Sequence, residues 1–126
     1  MWIAVIVDDT VNVAELGTEF RDVFTKALSD GVKGVLLYLV GGYSLSKVLP
    51  AIRDVLLNNV ALGVVMYVID QDTALNVVRE AIDRSARDLI KEFIVITSSS
   101  NSPVYRIADF IRSSLPNAKV VVKVKA

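Results

Sequence analysis

The feature that most restricts the fold is a set of five short apolar runs, at residues 2–7, 34–40, 62–69, 93–97 and 119–125. The first four are nearly unbroken in Val, Ile and Leu. A strand of that kind must be covered on both faces, as parallel strands between two helix layers are. The fifth run alternates: Lys119, Val121, Lys123 and Lys125 fall on one side, Val120, Val122 and Val124 on the other. Lysines along a terminal strand guard a sheet edge against further pairing.

The segments between the runs carry helical periodicity. Leu16, Phe20, Phe24 and Leu28 form one stripe, which Asp30-Gly31 brings to an end. Its start lies either at a capping box of Asn12 and Glu15 or later, at Gly17-Thr18. A second helix begins near Ser44 or Ser46, holds Pro50 in its first turn and presents Val48, Ile52 and Val55 or Leu56. A third starts at Asp72 or Thr73 and carries Ala74, Val77, Val78 and Ile82. The fourth has Ser102 as N-cap and Pro103 at its first helical position, followed by Ile107, Ala108 and Ile111. The order βαβαβαβαβ over residues 1–126, with no linker, predicts one α/β domain. Its architecture is a three-layer, open, mostly parallel five-stranded sheet. Strand order 2-1-3-4-5 would make it flavodoxin-like, and 3-2-1-4-5 Rossmann-like.

Composition narrows the chemistry. The chain has no cysteine and no histidine. Disulfides, thiol nucleophiles, zinc-thiolate sites, Ser-His and Cys-His mechanisms and an imidazole switch are therefore excluded. Acid–base work is left to Asp, Glu, Lys or Tyr. Fourteen basic residues cancel fourteen acidic ones, so no clustered positive charge marks a nucleic-acid partner. The apolar start lacks a basic flank and meets Asp8-Asp9, unlike a signal peptide. The longest apolar stretch, 60–69, is half of what a membrane span requires. A soluble, cytoplasmic protein with no membrane partner is expected. Few amides and no cysteine fit a thermophile's composition.

In such sheets ligands bind outside the carboxyl ends of the strands, at the point where the strand order reverses. Four βα loops share that edge: Asp8-Asp9-Thr10, Gly41-Gly42-Tyr43-Ser44, Asp70-Gln71-Asp72 and the run from Thr97 to Ser102. Order 2-1-3-4-5 would bring Asp8 and Asp9 to Asp70 and Asp72. Carboxylates so gathered need a counter-charge, and Mg²⁺ is the usual one. Asp9 and Asp72 also suit the role of helix N-caps. Order 3-2-1-4-5 would instead set Asp8 and Asp9 against Thr97, Ser98, Ser99, Ser100, Asn101 and Ser102. Hydroxyls and backbone N–H groups at a helix start there form a candidate phosphate or anion cradle, or simply a polar connection. Gly41-Gly42 lacks the lysine of a P-loop and the spacing of a dinucleotide fingerprint. It reads as a tight turn with Ser44 as cap.

Val5-Ile6-Val7-Asp8-Asp9 resembles the first strand and acidic pair of response-regulator receiver domains. That resemblance implies Asp70 as phospho-acceptor, Asp8 and Asp9 as Mg²⁺ ligands, Thr97 as sensor and Lys123 as its ion-pairing partner. Lys123 is followed by Val124 instead of proline, and the stretch from Asp9 to Asp70 is longer than in receivers. Asp70-Gln71-Asp72 is similar to the Asp-x-Asp pair of TOPRIM domains, with Asp8 where they carry a glutamate. That likeness implies metal-dependent phosphotransfer or nuclease chemistry. The Thr97–Ser102 run resembles the Ser-x-Ser loop of sugar-phosphate isomerase domains, with Asn101 where glycine is usual. The strand–glycine–helix layout is similar to DsrE-like sulfur-relay domains, but without their cysteine.

These observations favour a small regulatory or ligand-binding module with an Mg²⁺ or phosphate site at the carboxyl edge of the sheet. A metal-dependent enzyme and a structural homo-oligomerising domain are the alternatives. Strand 2 or strand 3 must form the other sheet edge, and both are strongly apolar. A homodimer that buries this edge or its covering helices is expected.

Overall fold

The computed structural model describes residues 1–83 and 89–125. The elements alternate as β1 (Trp2–Asp8), α1 (Val13–Ser29), β2 (Gly34–Val40), α2 (Leu45–Asn58), β3 (Gly63–Ile69), α3 (Ala74–Ala81), β4 (Ile90–Thr97), α4 (Val104–Ser114) and β5 (Lys119–Val124). All five strands pair in parallel in the order β3-β2-β1-β4-β5. The fold is thus the three-layer α/β sheet that the apolar runs predict. Of the two strand orders, it takes the Rossmann-like one.

The near-continuous apolar strands divide their side chains between two cores with a period of two. Ile3, Val5 and Val7 of β1 face one way, with Ile94 and Ile96 of β4. They meet Leu16, Phe20, Phe24 and Ala27 of α1 and Val48 and Ile52 of α2. Ala4, Ile6, Phe93 and Val95 face the other way, onto Ala74 and Val78 of α3 and Ile107, Ala108 and Ile111 of α4. The chain crosses from one face to the other between β3 and β4. The reversal point of the sheet therefore falls between β1 and β4.

Local details follow from specific residues. Asn12 caps α1, its side-chain oxygen accepting from the Ala14 amide at 3.1 Å. The earlier of the two possible starts is the one adopted. α2 begins at Leu45, which puts Pro50 in the second turn and not the first. The missing N–H leaves the carbonyl of Ser46 to solvent, where Ser46 is exposed. Ser44 holds the cap position but makes no capping bond, its hydroxyl meeting that of Ser46 at 2.8 Å. Gly17 lets α1 approach α2: a Cβ there would lie 2.8 Å from the Ala51 carbonyl oxygen.

The two sheet edges differ in chemistry. Along β5, Lys123 and Lys125 pair with the buried Glu19 of α1, at 2.8 and 2.5 Å. Lys119 and Lys26 reach the buried Glu92 of β4, at 3.7 and 2.6 Å. Lys119, Lys123 and Lys125 are the lysines that the alternating pattern assigns to one side, and the α1 side is where they lie. Burial pushes the Glu19 carboxyl up, but the ammonium groups of Lys123 and Lys125 outweigh it and hold the group below its ordinary range. At the other edge, β3 carries no charge, and its Val65, Tyr67 and Val68 are partly exposed. Tyr67 stacks on Tyr38 of β2 at a centroid distance of 4.9 Å. Among the described residues no helix is long and apolar enough to cross a membrane.

Candidate functional site

β1 and β4 are neighbours, so the loops that follow them meet above the reversal point. The centre of that meeting is Asp8, 2% exposed. One carboxylate oxygen accepts from the hydroxyl of Thr97 at 2.7 Å and from the hydroxyl of Ser102. The other accepts from the hydroxyl and backbone amide of Thr10. Thr97 and Ser102 are themselves buried. Stripping water from a carboxylate is costly unless hydrogen bonds replace it, and here three hydroxyls and an amide do so.

The hydroxyls that hold Asp8 also hold the backbone. Thr10 Oγ1 accepts from the Ser98 amide at 2.8 Å, and Thr97 Oγ1 from the Ser99 amide at 3.1 Å. Ser99 Oγ accepts from the Asn101 amide, and Ser102 Oγ from the Val104 amide, both at 3.2 Å. Ser102 thus accepts from the amide of the first residue of α4 while donating to Asp8; the cap position itself falls on Pro103, one residue later than the sequence reading puts it. The amides of 98, 99, 101 and 104, which an anion cradle would offer, are each taken by a side-chain oxygen of the chain itself. Ser98, Ser100 and Asn101 stay exposed at the rim.

Asp9 is exposed and does not cap α1. It accepts from the Gly42 amide at 2.8 Å, tying the β1 loop to the β2 loop. That contact explains Gly41, whose φ is +105° and whose place would put a Cβ 2.5 Å from the Asp9 carboxylate. Below it, the buried Tyr43 shares its one O–H between the carbonyls of Asp8 and Val11, at 2.6 and 2.7 Å. Burial, and then the nearby Asp8 charge, push the Tyr43 phenol well above its ordinary range. Nothing in the sequence singled out Tyr43 as a brace. Its place after two turn glycines was the only available signal.

Asp70 and Asp72 do not join this cluster. β2 lies between β1 and β3, so the β3 loop stands one strand removed. Among the described residues no three carboxylates gather as metal ligands. The juxtaposition of Asp8 with Asp70, on which the receiver and TOPRIM likenesses depend, is absent. Lys123 is engaged with Glu19 on the α1 side of β5. Asp72 is not a cap either: α3 begins after Thr73 with no side-chain cap.

With the crevice between β1 and β4 stitched closed, the open space lies beside it. A cleft of about 400 Å³ runs between the starts of α3 and α4, above the end of β2. Val40, Ala74, Leu75, Val104 and Ile107 give it an apolar lining, and Gln71, Asp72 and Arg106 supply its polar groups. Lower down the two helices are pinned by Arg79, whose guanidinium sits 5.0 Å from the centroid of Phe110. Asp72 is the one residue here that the sequence marks as a site candidate. Arg106 carried no motif and was missed. A larger space of about 510 Å³ lies at the opposite edge, among Met1, Lys91 and residues 114–118. It is remote from every βα loop.

No family model matches the chain, and no curated protein does. Among solved structures, a hypothetical protein from Sulfolobus tokodaii superposes with a TM-score of 0.73 at 15% identity. The match covers 98% of this chain and 94% of that one. The likeness is one of fold.

Proposed function

We propose that the chain is a small regulatory or ligand-binding α/β module whose ligand, a small phosphorylated molecule, seats in the cleft between α3 and α4. The observation that carries this reading is the cleft itself: concave, with a lining of mixed apolar and polar surface, at the carboxyl edge beside the reversal point. Arg106 supplies the positive charge an anion needs, and it has no ion-pair partner among the described residues. Asp8, with Thr10, Thr97 and Ser102, serves as the scaffold that fixes the start of α4 and hence the cleft wall. Mg²⁺ is not required by this reading, since Asp8 is already saturated by hydroxyls and Asp70 and Asp72 stand apart from it.

The test is thermal unfolding with ribose 5-phosphate, glucose 6-phosphate and the nucleoside monophosphates, with and without Mg²⁺. A ligand at a hundredfold its Kd adds about 2.7 kcal/mol, or about 10 °C for a chain of this length. At least one phosphate ester should stabilise the protein, and Arg106→Ala should abolish the shift. No shift with any of them would overturn the reading. A shift that needs Mg²⁺ and survives Arg106→Ala would favour a metal-bound site instead.

A second reading, independent of the first, is that two copies pair through β3. It rests on the uncharged edge of that strand, with Val65, Tyr67 and Val68 partly exposed, against a lysine-guarded β5. Sedimentation at micromolar concentration should show a dimer, and Val68→Lys should yield monomer. A wild-type monomer would sink this reading.

A further inference from the structure

The cleft between α3 and α4 has charges of both signs at its mouth. Asp72 belongs to the β3 loop ahead of α3, and Arg106 to the first turns of α4. They are not paired with each other, and neither has an ion-pair partner among the described residues. Between them lie apolar groups of Ala74, Leu75, Val104 and Ile107. Gln71 adds a carboxamide, which both donates and accepts, on the Asp72 side. No side chain caps the start of α3, so its first amides are available on the same wall.

A phosphate alone would use Arg106 and be repelled by Asp72. A ligand that satisfies the whole lining has an anion at one end, an apolar or flat body, and hydrogen-bond-donating nitrogen at the other. The cleft's volume lies within the range of small-molecule sites, which gives room for a ring between the two ends.

We infer that the phosphorylated ligand carries an amino-bearing flat ring, the chemistry of a nucleoside monophosphate with an aminated base. The phosphate meets Arg106, the ring lies on the aliphatic lining, and the exocyclic amine donates to Asp72. Recognition is by these side chains and not by a glycine-rich phosphate loop, which the chain lacks. The inference rests on the proposed ligand-binding reading and adds the identity of the ligand's far end.

Matched nucleotide pairs separate the two. Adenosine and inosine monophosphates differ by an exocyclic amine against a carbonyl oxygen, with the neighbouring ring nitrogen bare in the first and protonated in the second, and cytidine and uridine monophosphates differ likewise. By calorimetric titration the wild-type chain should bind each aminated member at least tenfold more tightly, because a carbonyl facing Asp72 sets acceptor against acceptor. Asp72→Asn, which can donate to a carbonyl, should shrink or reverse that ratio. Arg106→Ala should weaken both members of a pair by the same factor. Circular dichroism would show that both variants are folded.

Equal binding within each pair would overturn the inference and leave the ligand-binding reading in place. The same follows if only sugar phosphates bind, in an Arg106-dependent way. A preference that survives Asp72→Asn would overturn it as well. Absence of binding by every phosphate ester would overturn both.

Discussion

Replacing Asp8 with alanine removes the acceptor of three hydroxyls and one amide at a stroke. Two of those hydroxyls belong to buried residues, Thr97 and Ser102, and water cannot readily take the place of the carboxylate there. A hydrogen bond to a charged acceptor contributes about 1.5–3 kcal/mol. The bonds share one network and do not sum in full. Thr10 is exposed and can turn to water, and Thr97 has the Ser99 carbonyl at 3.4 Å as a weak alternative. The two buried bonds therefore set the scale, and the loss should be about 3–5 kcal/mol. For a chain of this length that lowers Tm by about 12–20 °C. Asp8→Asn keeps one acceptor oxygen and gains an NH₂ that the rotating hydroxyls can accept from. It should cost only about 1–2 kcal/mol. Urea and thermal unfolding followed by circular dichroism would measure both. Asp70→Asn is the control: its side chain is exposed and makes no bond among the described residues, so it should stay within about 0.5 kcal/mol of wild type. An Asp8→Ala variant as stable as the Asp70→Asn control would refute the argument that Asp8 ties β1 to β4.

Three further outcomes are expected. Gly41→Ala combines a positive φ with a Cβ pressed against the Asp9 carboxylate, and should lose about 1–3 kcal/mol in urea unfolding; Asp9→Ala in the same chain should recover part of that loss. Gly34→Ala would set a Cβ 2.4 Å from both the Gly63 carbonyl oxygen and the Trp2 ring, and the displaced indole should register as a change in Trp2 fluorescence. Glu19 has a folded pKa below its ordinary 4.5, so its contribution is complete above that value and is lost as pH falls through the lowered one. The stability gap between wild type and Glu19→Gln, about 1–2 kcal/mol at neutral pH, should therefore close in acid; a gap constant down to the lowest folded pH would contradict it.

The layers and strands were legible because burial on both faces leaves a plain mark: the run from Trp2 to Val7 has no polar residue to place outside. Lys119, Lys123 and Lys125 declared the β5 edge in the same way. Strand order was not legible, because residues 34–40 and 62–69 are both apolar enough to be either a central or an edge strand. Everything about the acidic residues hung on that order. Once β2 separates β1 from β3, Asp8 and Asp70 serve different surroundings. Ser102 before Pro103 marked the start of α4 to within one residue. Its second bond, to Asp8, spans 94 residues of sequence and no local pattern could carry it. Arg106 was silent for a related reason, since an exposed arginine on a helix acquires meaning only when a cleft opens beside it.

The most direct test of the central claim is a ¹H–¹⁵N correlation spectrum recorded during titration with adenosine monophosphate. Saturable shifts should be confined to the amides of residues 71–75 and 104–107, the two walls of the cleft, and Arg106→Ala should remove them. An unchanged spectrum, or shifts centred on residues 114–118 at the opposite edge of the sheet, would contradict the account.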